Sequence, residues 1–318
     1  MLLTGAGGAG TIEIIRTLKR DGWVVIGADA VEWSAGLALA DERFLIPWAV
    51  HPTFPAALRE MIRQSKPRFV VPLVDEEIPI AHAVCAEFPG VQVVAPTPAF
   101  CTLALDKWAM AESLARHGLP TAPSWLASEA ADAVYPAIVK PRTGRGSRGL
   151  AFLDGPDDLA RYLAAATDPA DRYIVQRRID GREFTSSAVV ALEGPLLAVV
   201  PKEATVKKGI TQVGVTREMP AIDAVLRRMH KVLDPRGPFN VQQIVGDDGV
   251  PYVIEVNPRY STTVALTLAS GVDEVGLVMR HALGLPVEVP AFQRDLMMIR
   301  HTGQVFLPES AYAPVRVP

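Results

Sequence analysis

The chain predicts an α/β domain with a parallel sheet, followed by an α+β half built on antiparallel strands. Three observations carry this. In the first hundred residues, strand-length apolar runs alternate with stretches whose apolar residues recur at helical spacing. A Pro- and Ala-rich connector follows at 121–136, and from residue 137 strands succeed one another with hairpin turns between them. Taken in order, residues 1–4, 23–29, 69–73 and 91–94 read as buried parallel strands, with helices at 11–20 and 54–64 between them. Thr11 caps the first helix and Gly22 closes it. Near Pro96 the pattern changes, and a helix over 106–117 is stopped by Gly118 and Pro120. Strands are then expected at 137–140, 150–153, 173–177, 184–192 and 196–200. Helices are expected at 156–166 and 222–233, and Glu193-Gly194 marks a hairpin.

With 318 residues the chain suits two or three packed subdomains. A net charge of −3 gives no basic footprint for nucleic acid or for acidic membranes. Cys85 and Cys101 stand in apolar context with no metal-ligand spacing, so both read as buried thiols of a reducing compartment. No leader pattern and no run of eighteen apolar residues is found, and a cytoplasmic location is the expectation.

The sharpest chemical feature is a predicted hairpin. Asn240-Val241-Gln242 and Val253-Ile254-Glu255-Val256-Asn257-Pro258-Arg259 flank the turn Gly246-Asp247-Asp248-Gly249. Side chains alternate along a strand, so Glu255 and Asn257 share one face while Ile254 and Val256 point to a core. With Gln242 on the partner strand, three oxygen-bearing side chains are available to Mg²⁺, a hard cation whose shell phosphate oxygens complete. Arg259 lies just beyond, where a guanidinium can meet a phosphoryl group in transfer. A merely solvated edge hairpin is disfavoured because Pro258 ends the strand directly after the polar pair.

A second feature is Ile138-Val139-Lys140-Pro141 followed by a loop with Gly144, Gly146, Ser147 and Gly149 among three arginines. A lysine ending an apolar strand can aim its ammonium at a phosphate, and glycines let the backbone N–H groups wrap an anion. No Gly-Lys-Ser/Thr closes the loop, so it is not a Walker A element.

Together these segments resemble the ATP-grasp superfamily, most nearly single-module relatives of the carbamoyl-phosphate synthetase large subunit, whose ATP-binding halves carry N-V-Q and E-x-N-P-R. The likeness implies an ATP-grasp fold. Its parts would be a Rossmann-like domain over 1–100, a linker and first lobe with the phosphate loop over 101–176, and a second lobe with the metal hairpin over 177–318. Carried over by motif, Lys107 of Asp106-Lys107, Lys140, Gly144, Gly146, Ser147 and Gly149 would meet the nucleotide phosphates. Gln176 with Arg177, Arg178 and Ile179 would line the adenine edge, and Glu183 would hold the ribose. Gln242, Glu255 and Asn257 would hold two Mg²⁺ ions, or Mn²⁺ in their place, and Gln242 and Glu255 would also touch the nucleotide. Arg259 and Lys140 would act on the transferred γ-phosphoryl. Gln242 and Gln176 stand where many members carry an acid. The resemblance further implies an ADP-forming carbon–nitrogen ligase that joins a small-molecule carboxylate to an amine, working as a homodimer without nucleic acid or membrane.

Three other readings stay open on the sequence. One is a non-catalytic nucleotide-sensing protein with an intact grasp, against which intact Glu255, Asn257 and Arg259 argue. Another is phosphorylation of bicarbonate or carbamate. The third is an NAD(P)-dependent oxidoreductase, because Gly5-Ala6-Gly7-Gly8-Ala9-Gly10 fits G-x-G-x-x-G after a strand, with Asp29 ending the next strand. Asp75-Glu76-Glu77 is expected at the carboxyl edge of the first sheet, near a substrate. Lys202, Lys207 and Lys208 read as a loop facing the site. His230, His281 and His301 read as structural. The tail from residue 311 fits either a disordered segment or one packed along the back.

Overall fold

The computed structural model describes residues 1–144, 146, 148–312 and 316–318. Five short strands, β1 (Leu2–Thr4), β2 (Ile26–Asp29), β3 (Glu42–Leu45), β4 (Phe69–Val71) and β5 (Gln92–Val93), form a parallel sheet in the order β3-β2-β1-β4-β5. Helices α1 (Thr11–Arg20), α2 (Ala35–Leu39), α3 (Phe54–Ser65) and α4 (Ile78–Cys85) connect them. Strand order reverses at β1, which pairs with both β2 and β4. The carboxyl ends of β1 and β4 therefore flank the crevice where sheets of this kind bind ligands. The 5–10 turn and Asp75 lie at those two ends.

Two helices follow, α5 (Pro98–Leu105) and α6 (Lys107–Arg116). The single expected helix over 106–117 is thus shorter, because Asp106 is its cap: the carboxylate accepts from the Trp108 and Ala109 amides at 3.1 Å. Strands β6 (Ser124–Leu126), β7 (Ala137–Pro141), β8 (Ala151–Leu153) and β9 (Tyr173–Arg177) form a four-stranded sheet, β6-β9-β7-β8, against α7 (Pro156–Ala165).

The remaining strands are β10 (Gly181–Val190), β11 (Leu196–Lys208), β12 (Ile210–Thr216), β13 (Phe239–Gly246), β14 (Pro251–Asn257) and β15 (Met297–Ile299). They make an antiparallel sheet ordered β14-β13-β10-β11-β12-β15. Helices α8 (Pro220–Leu233), α9 (Val264–Ala269) and α10 (Glu274–Ala282) complete the chain's regular structure. One sheet face buries Phe184, Val241, Val256 and Phe239 against α5, α6 and α8, each aromatic contributing roughly 1.5–3 kcal/mol. The other face is polar toward the cleft, and at its far end Val189 and Val200 join the core of α1, α9 and α10.

Two further differences from the expected elements matter. Strands β3, β6, β12 and β15 and helices α2, α4, α5, α9 and α10 come in addition to the predicted ones, with β6 inside the stretch read as a connector. Lys202, Lys207 and Lys208 lie in β11, which runs on to Lys208, so they are strand residues and not a loop. The tail packs at Arg316, whose amide donates to the Arg43 carbonyl at 3.1 Å while its carbonyl accepts from Leu45 N at 2.9 Å. No helix among the described residues is long and apolar enough to cross a membrane.

Candidate nucleotide and metal site

A cavity of about 430 Å³ opens between the four-stranded and six-stranded sheets. Its apolar wall includes Ile138, Leu150, Phe152, Ile179 and Ile254, and its polar wall carries Lys107, Lys140, Lys207, Glu183, Gln242 and Glu255. Lys140 ends β7 and is buried. Its ammonium donates to Gln176 Oε1 at 3.0 Å and to the Ile254 carbonyl at 3.1 Å. Burial pushes its pKa down to about 8, with Lys107 and Lys207 adding to the fall and Glu255 opposing it. Gln176 is itself fixed, its Nε2 donating to Ser124 Oγ at 2.9 Å. That side chain orients Lys140, which leaves the backbone of Gln176 and its successors to face a base. Arg177, Arg178 and Ile179 line the cavity where β9 ends, with the Arg178 guanidinium 5.7 Å from the Phe152 ring centre.

Lys107 opens α6 and donates from Nζ to the Gly144 carbonyl at 2.6 Å. Asp106 clamps Arg142 at the stem of the same loop, with contacts of 2.6–2.9 Å. Gly144, Gly146 and Gly149 have φ of +104°, +74° and +68°, a region that favours glycine. Gly144 and Gly146 line the cavity; Gly149 sits behind it, over Pro141. Ser147, a predicted phosphate contact, lies outside the described residues.

Strand register brings the predicted metal ligands together. Gln242 stands opposite Glu255, and Asn240 opposite Asn257. The Glu255 carboxylate makes no hydrogen bond or ion pair among the described residues, and the buried Asn257 Nδ2 has no partner. No group of three His, Cys, Asp or Glu placed to hold a metal ion occurs among the described residues. One carboxylate with two amide oxygens fits a hard cation that arrives with phosphate oxygens, and does not fit a self-sufficient metal cage. Glu183 does not stand free: Lys207 Nζ contacts its Oε1 at 2.5 Å and Gln242 Oε1 at 3.4 Å.

Beyond this hairpin a second, smaller cavity of about 150 Å³ is walled by Thr185, Thr211, Asn240, Asn257, Arg259 and Ser261, among others. The Arg259 guanidinium reaches across to the first sheet, where Asp75 accepts from Nε at 2.6 Å and from Nη2 at 3.2 Å. Behind the cavity Lys202 is wholly buried, donating to Ser187 Oγ at 2.5 Å and Thr267 Oγ1 at 2.7 Å beside buried Glu274. This network belongs to the core, so Lys202 does not face a ligand.

The oxidoreductase reading finds no support. The 5–10 turn is filled by its own chain: a Cβ on Gly10 would meet Val264 at 2.6 Å, and one on Gly7 would meet Ser34 at 2.9 Å. Asp29, the residue a ribose would need, accepts from the Gly7 and Val31 amides. Of the groups that sequence reasoning misses, the Asp106–Arg142 clamp has an uninformative sequence separation. The Asp75–Arg259 pair joins residues 184 positions apart.

The comparisons with known proteins agree with this geometry. The ATP-grasp domain family matches residues 104–263, and the PylC-like N-terminal domain family matches residues 1–94. The formate-dependent phosphoribosylglycinamide formyltransferase of Pseudomonas aeruginosa is 31% identical over 312 residues, covering 91% of this chain and 76% of the relative. The carbamoyl phosphate synthase large chain of Thermotoga neapolitana is 27% identical over 226 residues, 64% of this chain and 20% of that protein. In fold, the biotin carboxylase domain of Hydrogenobacter thermophilus 2-oxoglutarate carboxylase superposes with a TM-score of 0.75 at 18% identity, over 93% of this chain and 72% of that one. The chain therefore belongs to the ATP-grasp family, as an ADP-forming carbon–nitrogen ligase that works with ATP and Mg²⁺.

Proposed function

We propose that the protein activates a small polar carboxylate as its acyl phosphate, releases ADP, and passes the acyl group to an amine. The observation that carries this reading is the join between the two cavities. The outer one offers apolar walls and three lysines; the inner one, lined by hydroxyls and amides, begins where Gln242, Glu255 and Asn257 converge. A cavity of about 150 Å³ accommodates a molecule near the size of benzene, roughly six non-hydrogen atoms.

In this reading the working units are residues 1–100, 101–176 and 177–318. Lys107 and Lys140 neutralise the phosphates, the backbone at Gly144 and Gly146 holds them, the backbone from Gln176 to Ile179 meets the adenine edge, and Glu183 takes the ribose. Gln242, Glu255 and Asn257 hold Mg²⁺, which when bound draws charge from the phosphate oxygens. Arg259, steadied by Asp75, faces the phosphoryl group in transfer. A carboxylate oxygen attacks the γ-phosphorus as the bond to the ADP oxygen breaks. The amine nitrogen then attacks the acyl carbon, inorganic phosphate leaves, and the nitrogen gives up a proton. The chain contributes positioning and charge, with no nucleophile of its own. Bicarbonate is among the smallest occupants the inner cavity admits, so its phosphorylation is a second reading favoured by the same volume. The biotin carboxylase domain named above is described as a dimer, and we take a homodimer as the working assembly.

The test is a thermal-shift comparison with Mg-ADP, a non-hydrolysable Mg-ATP analogue and NADH, followed by a carboxylate screen read as ADP release. A ligand that binds only the folded state raises the melting temperature. The expected result is a rise with the Mg-nucleotides that Glu255→Ala abolishes, then turnover with acids of a few carbons or with bicarbonate. Formation of AMP, or turnover confined to bulky apolar acids, overturns the reading.

A further inference from the structure

We propose that Lys207 is a third phosphate-binding cation of the site: its ammonium rests on Glu183 and Gln242 in the ligand-free protein and moves onto the γ-phosphate when Mg-ATP enters. The inference rests on the ATP reading above and assigns a residue that the family's motifs do not mark.

Strand parity gives the first argument. Lys202 and Lys207 are five residues apart in β11, so in a regular strand they would point to opposite faces. Yet both reach β10 side chains of one parity, Lys202 touching Ser187 and Lys207 touching Glu183. The pairing with β12 shows why. Between Ala204 and Val206 the register slips, leaving Thr205 as an extra residue, and a second slip follows between Val206 and Lys207. Bulges beside active sites re-aim side chains in this way. Here the first one turns Lys207 into the cleft.

Energetics give the second argument. The Lys207–Glu183 pair is partly open to solvent, with side chains 31% and 28% exposed. Such a pair adds little stability, a small return for two irregularities in a ladder of backbone hydrogen bonds. A stronger partner accounts for the distortion better than Glu183 does.

Position identifies that partner. Of these two cavities Lys107 and Lys140 line the outer one and not the inner, whereas Lys207 lines both. Lys107 and Lys207 each lower the affinity of Lys140 for its proton, so the three ammonium groups repel one another around Glu255. Convergent like charges of this kind suit a polyanion. The group at the border of the two cavities is then the terminal phosphate, the one to be transferred. Lys207 sits two residues before Gly209, and its hairpin closes on that glycine with φ +68°.

Calorimetric titration of wild type, Lys207→Ala, Lys207→Arg and the control Lys208→Ala with Mg-ADP and with a non-hydrolysable Mg-ATP analogue tests the assignment. Lys207→Ala is expected to bind the analogue about tenfold more weakly while Mg-ADP affinity changes less than twofold. Lys207→Arg should recover most of the loss, and Lys208→Ala should match wild type. Equal losses for both nucleotides would make Lys207 a prop for Glu183, and unchanged analogue affinity would leave it a surface pair; either result overturns the proposal. Wild type that binds neither nucleotide removes the ATP reading itself, a failure separate from that of Lys207.

Discussion

Two glycine-rich segments, residues 5–10 and 144–149, share a composition and differ in their surroundings. In the first, glycine makes room. Gly7 and Gly10 let Ser34 and Val264 approach, and in α2 a Cβ on Gly36 would fall 1.9 Å from the Ala6 carbonyl oxygen. Arg300 then ties the turn to the loop beyond Arg259 through the Ala9 and Thr262 carbonyls. In the second segment, a Cβ on Gly144 or Gly146 would meet nothing within 4 Å, yet both glycines adopt positive φ beside the large cavity. One segment is scaffold that joins the first sheet to the grasp; the other is backbone available to a ligand. Glycine content alone does not distinguish a packed turn from an open loop beside a cavity.

This contrast can be broken by substitution. The largest effect is expected for Gly36→Ala, where a backbone oxygen blocks the new methyl and no rotamer relieves it. Overpacking of this kind costs about 3 kcal/mol, readable as a lowered urea midpoint. Gly144→Ala should behave differently: a stability loss of about 1–2 kcal/mol from the positive φ alone, with Mg-ADP affinity reduced roughly tenfold, or about 1.4 kcal/mol, by calorimetry. Asp29→Asn, which weakens the acceptor for two amides of the packed turn, should cost about 1 kcal/mol and leave nucleotide affinity unchanged. A loss of Mg-ADP binding in that variant would merge the two segments into one site.

A pH series sharpens the second half of the comparison with a smaller effect. The folded pKa of Lys140 lies near 8, below its ordinary 10.5, because burial disfavours the charged form. The stability cost of protonated Lys140 is therefore fully present below pH 8 and lifts as pH rises toward 10.5. Nucleotide affinity should move the other way and fall as pH rises through about 8, since neutral Lys140 no longer balances phosphate charge. Calorimetry with Mg-ADP from about one pH unit below that value to one above checks the sign, and Lys140→Met should flatten the profile.

How far the sequence can be read depends on the interaction involved. The hairpin of Gln242, Glu255 and Asn257 is legible because alternation along a strand is local and Pro258 marks its end. Strand β3 escapes such a reading because Glu-Arg-Phe-Leu carries two charges at a sheet edge and lacks an apolar run. Helix α5, apolar on nearly every side, has no polar face to show a helical period. Lys207 reads as a loop residue because a bulge leaves no trace in residue type.

By itself the sequence determined the two-part architecture and the family, and it singled out the 240–259 hairpin and the 144–149 loop as candidate sites. These follow from periodicity and short motifs, in which neighbours along the chain set each side chain's direction. Only the tertiary structure decided that Asp75 holds Arg259 across 184 residues, that Gln176 serves Lys140, and that the 5–10 turn is filled. It also separated buried Lys202 from cleft-facing Lys207 on one strand. Each of these depends on contacts between distant segments, and the chain encodes such contacts only through the packing of the whole.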